Sequence, residues 1–409
     1  MQHSLTRAES EGAGRGWRPV ASAFSAVLVG IGLARFAYTP LIPALIAAHW
    51  FTAGAVLYLG AANLSGYLAG AMLGRTMAAR FSTTAVLRAM MVLATATFFA
   101  CANPIDFAWF LSWRFISGLA GGALMVLAAP AVLPGIAPER RGLAVGVIFA
   151  GVGLGIAASG TLVPLLLRGG LGLTWLGLGG LALLLTAGAW RGWPEPQARE
   201  PVPASAAARR RPAALTALYM EYGLNAVGLV PHMLFLVDFV VRGLGRGMGV
   251  GADAWIVFGC GALAGPVLAG YLADRAGFRR ALRIGFLIQA ASVVLLAAPA
   301  GLIGIFASSL IVGAFVPGIA PLVLGRIHEL TARPRDRQAA WSIATVAFAL
   351  GQAVAAYGFS FLLTRSGDYA LLYALGAAAL LSAFAIDLRA TGIGTAEPAR
   401  KKTACRSET

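Results

Sequence analysis

A few charged side chains of this 409-residue sequence lie inside long apolar runs, where they could do chemistry. Arg35 and Arg114 are guanidinium groups that could bind an anionic or polar group. An arginine at the centre of a membrane-spanning helix costs about 2.5 to 3.5 kcal/mol on insertion scales, so it calls for a partner, a water-filled cavity or a function. Glu221 and His232 are suited to proton exchange, because carboxylates and imidazoles bind and release protons.

Arg35 shares a helix face with Tyr38 and Thr39, which follow it along the first apolar run. Pro40 and Pro43 come next and interrupt the helical hydrogen bonds, so freed carbonyls and a bend can shape a pocket. We predict that Arg35, Tyr38 and Thr39 line a substrate cavity. The alternatives for Arg35 are a structural salt bridge and a bond to carbonyls that Pro40 releases.

Arg114 stands about seven residues from one end of its apolar run, and its helix face continues through Ser117, Gly118 and Gly121. Its side chain has two alternatives, which are to reach outward to the membrane surface or to face the cavity. We include it among the predicted cavity residues.

A polar stripe runs along one face of the seventh apolar run, with side chains at i, i+4, i+7 and i+11: Glu221, Asn225, Gly228 and His232. We predict proton coupling at Glu221 and His232 and substrate contact at Asn225. The alternatives are a structural ion pair or an interfacial position for Glu221, and for His232 a bond to a carbonyl freed by Pro231. Asp238 falls off the stripe near the outer end, where we expect solvation or helix capping.

The remaining polar side chains in apolar runs have structural interpretations. Polar amides in a membrane hydrogen-bond between helices, and we predict this for Asn63, Gln289 and Gln352. The three cysteines fall in two separate apolar runs and the polar C-terminal tail, a spacing that fits no disulfide or metal site: Cys101, Cys260 and Cys405. We expect no catalytic residue, no metal and no cofactor.

Composition determines which elements must position these residues. The chain is 59% hydrophobic and 12% charged, with 52 glycines, which is too apolar for a soluble protein of this length. Only helices can span a bilayer in such a chain without leaving backbone groups unbonded, unless a barrel closes. We therefore predict an all-α polytopic membrane protein with twelve transmembrane helices in two related six-helix halves.

Stretches of about twenty apolar residues give the twelve predicted spans. They are 20–46, 52–74, 83–103, 107–133, 142–167, 171–190, 213–240, 254–273, 281–299, 301–325, 339–364 and 369–388. The predicted regions are a cytoplasmic N-terminal tail at 1–19, the N-terminal half at 20–190, a Pro-, Ala- and Arg-rich cytoplasmic linker at 191–212, the C-terminal half at 213–388 and a basic cytoplasmic tail at 389–409.

Lysine and arginine counts predict the orientation. With the N-terminus inside, 25 of the 32 basic residues lie on the cytoplasmic side, 4 lie opposite and 3 lie within spans. We predict a protein of a bacterial-type inner (plasma) membrane with both termini cytoplasmic. The net charge of +16 is spread over loops that would face anionic lipid, so we expect no nucleic-acid partner.

The two halves contain similar segments, which indicates an internal duplication. The stretch from Gly70 to Arg80 aligns without gaps on the stretch from Gly270 to Arg280 and matches glycines and arginines. The sequence also contains rows of glycine four residues apart, typical of closely packed helices. These rows are Gly66, Gly70 and Gly74, and Gly142 and Gly146.

Three segments make the chain resemble the major facilitator superfamily over essentially its whole length. Gly270-Tyr-Leu-Ala-Asp274-Arg275-Ala-Gly277-Phe-Arg279-Arg280 resembles the family's loop motif, Trp113-Arg114-Phe-Ile-Ser-Gly118-Leu-Ala-Gly121-Gly122 its helix-four arginine motif, and Gly151-Val-Gly153-Leu-Gly155 with Pro164 its helix five. The stretch Ala34-Arg35-Phe36-Ala37-Tyr38-Thr39-Pro40-Leu-Ile-Pro43 is similar to the YbfB/YjiJ branch. The sequence departs from the family at Gly74, where aspartate is frequent.

The resemblance implies roles for several residues. Spans one, four, seven and ten line the central cavity in this family, and they carry Arg35, Arg114 and Glu221. The loop motif implies a conformational latch between the halves, made here by Gly270, Asp274, Arg275, Gly277, Arg279 and Arg280. From the residues alone, we expect Asp274 to cap the following helix and to pair with a nearby arginine. Ordinary loop charge is the alternative for this segment.

The predicted function is secondary active transport of a small organic solute by alternating access, as proton-coupled efflux. The alternative is proton-coupled uptake of a small polar or anionic solute, and a transporter-like membrane sensor is a third class. We expect no enzyme, because the sequence lacks the HExxH, GxSxG, CxxC and Walker patterns. The expected partners are a small-molecule substrate, protons and the lipid bilayer, with the chain functional as a monomer.

Overall fold

The computed structural model describes residues 17–137, 140–194, 213–298 and 301–394, and within them twelve helices are long and apolar enough to cross a membrane. They are α1 Trp17–Ala47, α2 Ala53–Phe81, α3 Thr83–Ala100, α4 Phe107–Gly135, α5 Arg141–Leu167, α6 Leu171–Ala189, α7 Ala213–Gly243, α8 Gly247–Ala276, α9 Phe278–Ala297, α10 Leu302–Leu330, α11 Pro334–Ser366 and α12 Tyr369–Gly394. The predicted all-α, twelve-span fold is confirmed.

The helix ends differ from the predicted spans at several places. Helix α8 begins at Gly247, well before the predicted start at 254, and α2 continues to Phe81, beyond the predicted end at 74. Both extensions carry charged residues, which a search for apolar runs excludes. Most of the predicted tails (1–19 and 389–409) and linker (191–212) lies outside the described residues.

Successive helices alternate in direction, so the start of α1 and the end of α12 lie at the same face. We call this the terminal face, and the opposite side, which contains the α1–α2 connection, the far face. The predicted orientation makes the terminal face cytoplasmic.

Glycines let the backbones of neighbouring helices touch, and they do so identically in the two halves. A Cβ added at Gly66, Gly70 or Gly118 would collide with the carbonyls of Phe115, Leu119 and Asn63 across the α2–α4 contact. In the α8–α10 contact, Gly261, Gly265 and Gly313 meet Leu310, Ala314 and Phe258 in the same way. Each residue number in the second set exceeds its counterpart by 195, so the halves are structurally duplicated in this register.

This register corrects two sequence predictions. The ungapped alignment of Gly70 on Gly270 implied an offset of 200 and is wrong by five residues, so the position equivalent to Asp274 is Ala79 and not Gly74. The predicted close packing at Gly142 and Gly146 is also wrong, because a Cβ at either position would meet no atom.

The first helix of each half is irregular. In α1, a π-helical segment spans Leu28–Leu33, turns follow at 34–37, and the α-helix resumes at Tyr38–Ala47. In α7, π-helical segments span Pro231–Phe235 and Phe239–Gly243. Prolines remove helical hydrogen bonds, and π-helical turns are frequent at functional sites. We therefore expect α1 and α7 to have backbone carbonyls without a helical partner.

Several side-chain contacts join the two halves near the far face. Thr39 Oγ1 of the N-terminal half donates to the Met233 carbonyl at 2.7 Å, and Trp255 Nε1 of the C-terminal half donates to Ser159 Oγ at 3.0 Å. The rings of Tyr58 and Tyr357 are also 6.1 Å apart. All of these residues lie within about 15 Å of the far-face helix ends at 1.5 Å per residue, so this conformation is closed at the far face.

Candidate functional site

A small pocket lies where α1, α2, α4 and α7 meet. Its volume is about 20 Å³, enough for one or two water molecules. Its lining contains four of the five residues predicted to contact substrate, namely Arg35, Tyr38, Thr39 and Arg114, together with Gly60, Asn63, Leu64, Met233 and Leu234. The arginine of α1 and the arginine of α4 therefore face a shared space.

The break in α1 exposes a carbonyl to this pocket. Ala34 lies in the turn between the π-helical and α-helical parts of α1, and its carbonyl accepts hydrogen bonds from Arg114 Nη1 at 2.9 Å and from Ser117 Oγ at 3.2 Å. Arg114 is 3% exposed, so of its two predicted alternatives the structure has the inward-facing one. The carbonyl that accepts from Arg114 belongs to Ala34 and is not one that Pro40 releases, so the proposed bond between Arg35 and such a carbonyl stays a prediction.

Asn63 of α2 fixes this arrangement from the other side. Its Nδ2 donates to the Arg114 carbonyl at 3.2 Å and to Ser117 Oγ at 3.3 Å, which confirms the predicted interhelical bond. Tyr38 donates its hydroxyl proton to the Val56 carbonyl at 2.7 Å, and the Arg114 guanidinium lies 4.1 Å from the centre of the Tyr38 ring. The ring face is attractive to a cation, so Tyr38 orients Arg114 without neutralising it.

Arg35 is held by aromatic rings. Its guanidinium carbon lies 5.0 Å from the ring centres of both Phe36 and Tyr67. Its Nη2 is buried and has no hydrogen-bond partner among the described residues, and the same holds for Nε of Arg114 and Oδ1 of Asn63. The pocket thus presents unused hydrogen-bond donors from two cationic side chains.

No carboxylate belongs to the pocket lining in the part of the chain that the structure describes. The ionisable groups that act electrostatically on Arg35 and Arg114 are Tyr67 for the first, and Tyr38 and Cys101 for the second. Two positive charges in a low-dielectric site without an acid are expensive.

A family profile described as Uncharacterised MFS-type transporter YbfB matches residues 27–388. The chain belongs to this family. A comparison with curated proteins finds no match. The resemblance predicted from Arg35 and its neighbours is therefore confirmed, and the protein is an integral membrane transporter of the major facilitator type.

The polar stripe of α7 faces the transporter's own C-terminal half and not the pocket. Asn225, which we predicted on the cavity, is fully buried and donates from Nδ2 to Gln289 Oε1 of α9 at 2.8 Å. His232 Nε2 is 2.8 Å from Ser308 Oγ of α10. Gln352 of α11 contacts the sulfur of Met233 at 3.6 Å, so all three predicted amides bond between helices. A substrate role for Asn225 stays a prediction that this position does not favour.

Glu221 lies near the terminal-face end of α7 and does not meet Arg35. It is 3% exposed and has no hydrogen bond or ion pair with the described residues. The charges of Asp387, Arg279, Arg326 and Arg283 act on it electrostatically. This setting is compatible with a proton-carrying acid at the terminal face, and the role stays a prediction.

The latch segment is arranged differently from the sequence expectation. Helix α8 continues through Asp274 and Arg275, and Gly277 alone, with φ of 79°, links it to α9. Asp274 is exposed and the α9 N-terminus has no side-chain cap, so the predicted capping is wrong. Arg279 instead bonds Asp387 of α12 at 3.1 Å, and Arg283 pairs with the same carboxylate.

The other latch residues do not join this pair. The guanidinium carbon of Arg275 lies 4.4 Å from the centre of the Tyr271 ring. Gly270 is partly exposed to solvent, and Arg280 is exposed. Sequence reasoning missed Asp387 because it ends the last apolar run, more than a hundred residues from Arg279. The latch role of the segment stays a prediction.

Sequence reasoning also misjudged Asp238. We expected it to be solvated or to cap a helix, but it is 0% exposed, and Tyr369 of α12 donates to its Oδ2 at 2.5 Å. Arg242, one turn further along α7, approaches Oδ1 at 3.4 Å. The packing of α12 over the end of α7 buries this acid, and the sequence of α7 alone does not contain that information.

Proposed function

We propose that this transporter moves a small organic anion by alternating access, coupled to protons, with the anionic group bound between Arg35 and Arg114. The family identifies the protein as a transporter, and the proposal adds the chemical class of its substrate. The observation that carries it is that the buried Arg114 and the half-buried Arg35 each have a buried donor without a partner, and that the described pocket lining contains no carboxylate. A guanidinium fork matches a carboxylate geometrically as well as electrically.

The charge of the solute affects the direction of transport that the membrane potential favours. A membrane potential that is negative inside opposes entry of an anion by about 2.3 kcal/mol per 100 mV. Protons that enter together with the anion offset this opposition, so an arginine-lined pocket favours proton-coupled uptake over the efflux predicted from the sequence. The proposed setting is a bacterial-type inner membrane with the terminal face cytoplasmic.

Efflux of lipophilic compounds is the second candidate. The rings of Phe36, Tyr38 and Tyr67 surround the arginines and would suit an aromatic solute. Glu221 would then exchange a proton against the solute. Both candidates use the same pocket, and they differ in the charge of the solute that binds it.

Thermal unfolding of the purified protein with small solutes tests whether the pocket binds anions. A ligand that binds the folded state stabilises it by about 2.7 kcal/mol at a hundred times its dissociation constant. We expect acetate, succinate, benzoate or benzenesulfonate to raise the midpoint, and choline and glucose to leave it unchanged.

Arginine variants assign the binding to the pocket. Lysine cannot reproduce the planar guanidinium fork, so Arg35→Lys and Arg114→Lys are expected to lose the shift. Arg88→Lys is the matched control, because Arg88 lies on α3 and donates to the Trp190 carbonyl, away from the pocket. Stabilisation by choline but by none of the anions would contradict the proposed substrate class.

A further inference from the structure

Asp238 is a buried acid near the far face that the proposed function does not use. Its carboxylate is fully buried, while the side chain of Arg242, one turn nearer the far-face end of α7, is 37% exposed. One of its oxygens accepts a bond from the Tyr369 hydroxyl at 2.5 Å, while the other has only the 3.4 Å approach of Arg242. That second distance is beyond the usual range for a charge-assisted bond, so one oxygen is weakly held.

Asp238 is surrounded by one basic side chain and three tyrosines. The ionisable side chains that face it are Arg242 of α7, Tyr369 and Tyr373 of α12, and Tyr38 of α1. From α8, the packed residue is Gly251, which meets Val237 and Val241, while Asp253 on that helix is exposed. A proton needs only one acceptor, and the weakly held oxygen of Asp238 can provide it.

Polar groups continue inward from this acid. Tyr369 and Tyr373 lie one turn apart on α12 and both pack on Phe239, with ring centres 5.5 and 5.0 Å away. The Tyr373 ring is perpendicular to the His232 ring at 5.2 Å. The Tyr373 hydroxyl and His232 Nδ1 are both buried without a hydrogen-bond partner among the described residues.

The same part of α7 holds the far face closed. Asp238 stands between the π-helical segments Pro231–Phe235 and Phe239–Gly243, and the first of these contains Met233. The Met233 carbonyl accepts the Thr39 hydroxyl that joins the two halves. Asp238 and Met233 thus lie five residues apart on the same irregular part of α7.

We propose that Asp238, together with Tyr369, is a proton-loading site at the far face, and that its occupancy controls closure of the far face through Met233. This inference deepens the proposed function, because it rests on proton coupling and names the group that takes up the proton. Loading places a proton on the weakly held Asp238 oxygen and removes the charge that attracts Arg242. Reopening of the far face to solvent is then linked to the protonation state of Asp238.

Infrared difference spectroscopy of the purified full-length protein between acidic and alkaline pH tests the proton site without any substrate. We expect a carboxylic acid C=O band in the wild type that is absent in Asp238→Asn and retained in Asp253→Asn. Tyr369→Phe should keep the band but move its frequency, because the acid loses a hydrogen-bond partner. A wild-type spectrum that Asp238→Asn and Tyr369→Phe both leave unchanged would overturn the proposal.

Spin labels at the far face test the control of closure. Ala48 and Ser366 are exposed at far-face helix ends, and Ala48→Cys with Ser366→Cys in a cysteine-free protein provides the label pair. We expect the distance distribution to change with pH in this protein and in Asp253→Asn, and to be independent of pH in Asp238→Asn. Equal pH dependence in all three would refute the inference, while anion binding at Arg35, measured separately, would still support the proposed function.

Discussion

Met233 is the pocket residue that can show whether the two arginines lack an anion. It lines the same pocket from α7, and its side chain is close in size to glutamate. We expect Met233→Glu to supply the missing carboxylate, to abolish anion binding and to leave the unfolding midpoint of the ligand-free protein unchanged or higher. The reason is that a paired charge costs less than a buried unpaired one.

Met233→Gln is the matched control, with the same shape and no charge. It should keep the affinity for the anion within about fivefold of the wild-type value, since one neutral contact contributes about 1 kcal/mol or less. The thermal-shift assay compares both variants. Anion binding by Met233→Glu at wild-type affinity would mean that the arginines do not require an external anion.

Single residues were predictable where charge made them conspicuous. Arg35 and Arg114 stand out in apolar runs, and the spacing of Tyr38 and Thr39 placed them beside Arg35. The contact of Ser117 with the Ala34 carbonyl could not be predicted in this way, because a serine hydroxyl in a helix can also bond to a carbonyl of its own helix. The burial of Asp238 depends on Tyr369, which is 131 residues away, and no local pattern contains that contact.

At the scale of helices, the shared glycine contacts predict matched effects in the two halves. A methyl group at Gly118 would collide with the Asn63 carbonyl, and one at Gly313 with the Phe258 carbonyl. We expect Gly118→Ala and Gly313→Ala each to lower stability by about 1 to 3 kcal/mol, as overpacking does. Thermal unfolding in detergent measures the change.

Gly146→Ala provides the control, because a Cβ at Gly146 meets no atom within 4 Å. Alanine favours a helix over glycine by about 1 kcal/mol, so this variant should be neutral or slightly stabilised. A loss of stability at Gly146 equal to that at Gly118 would show that the contact assignment is incorrect.

The helices themselves were predictable because their length and apolarity follow from the bilayer thickness. Their register was not, because glycine and arginine are so frequent here that an ungapped match of eleven residues does not distinguish an offset of 200 from one of 195. The backbone contacts of Gly66 and Gly261 decide between them. The π-helical turns of α1 and α7 were predictable only as interruptions near Pro40 and Pro231.

For the whole molecule, the far-face closure predicts a conformational response to a single hydroxyl. Thr39→Val keeps the shape of the side chain and removes the 2.7 Å bond to the Met233 carbonyl. A hydrogen bond contributes about 1 kcal/mol, which corresponds to about a fivefold shift toward far-face-open states. Spin labels at Ala48→Cys and Ser366→Cys report the shift as a larger population of long distances.

Ser309→Ala is a suitable control, because Ser309 donates within its own helix to the Ile305 carbonyl at 2.7 Å. It removes a hydroxyl without affecting the contact between the halves. Identical distance distributions for Thr39→Val and the wild type would show that the Thr39 hydrogen bond does not help to close the far face. The sequence did not predict which face is closed, since closure is a property of how the two halves meet.

The central claim is that an anion crosses the membrane with protons by way of Arg35 and Arg114. Its most direct test is uptake of the most stabilising carboxylate, radiolabelled, into proteoliposomes with an acidic exterior, corrected for diffusion into protein-free liposomes. We predict accumulation that collapses when the pH gradient is dissipated, that falls about tenfold or more in Arg35→Lys, and that persists in Arg88→Lys. Accumulation at the wild-type rate in Arg35→Lys, or uptake indifferent to the pH gradient, would contradict the account.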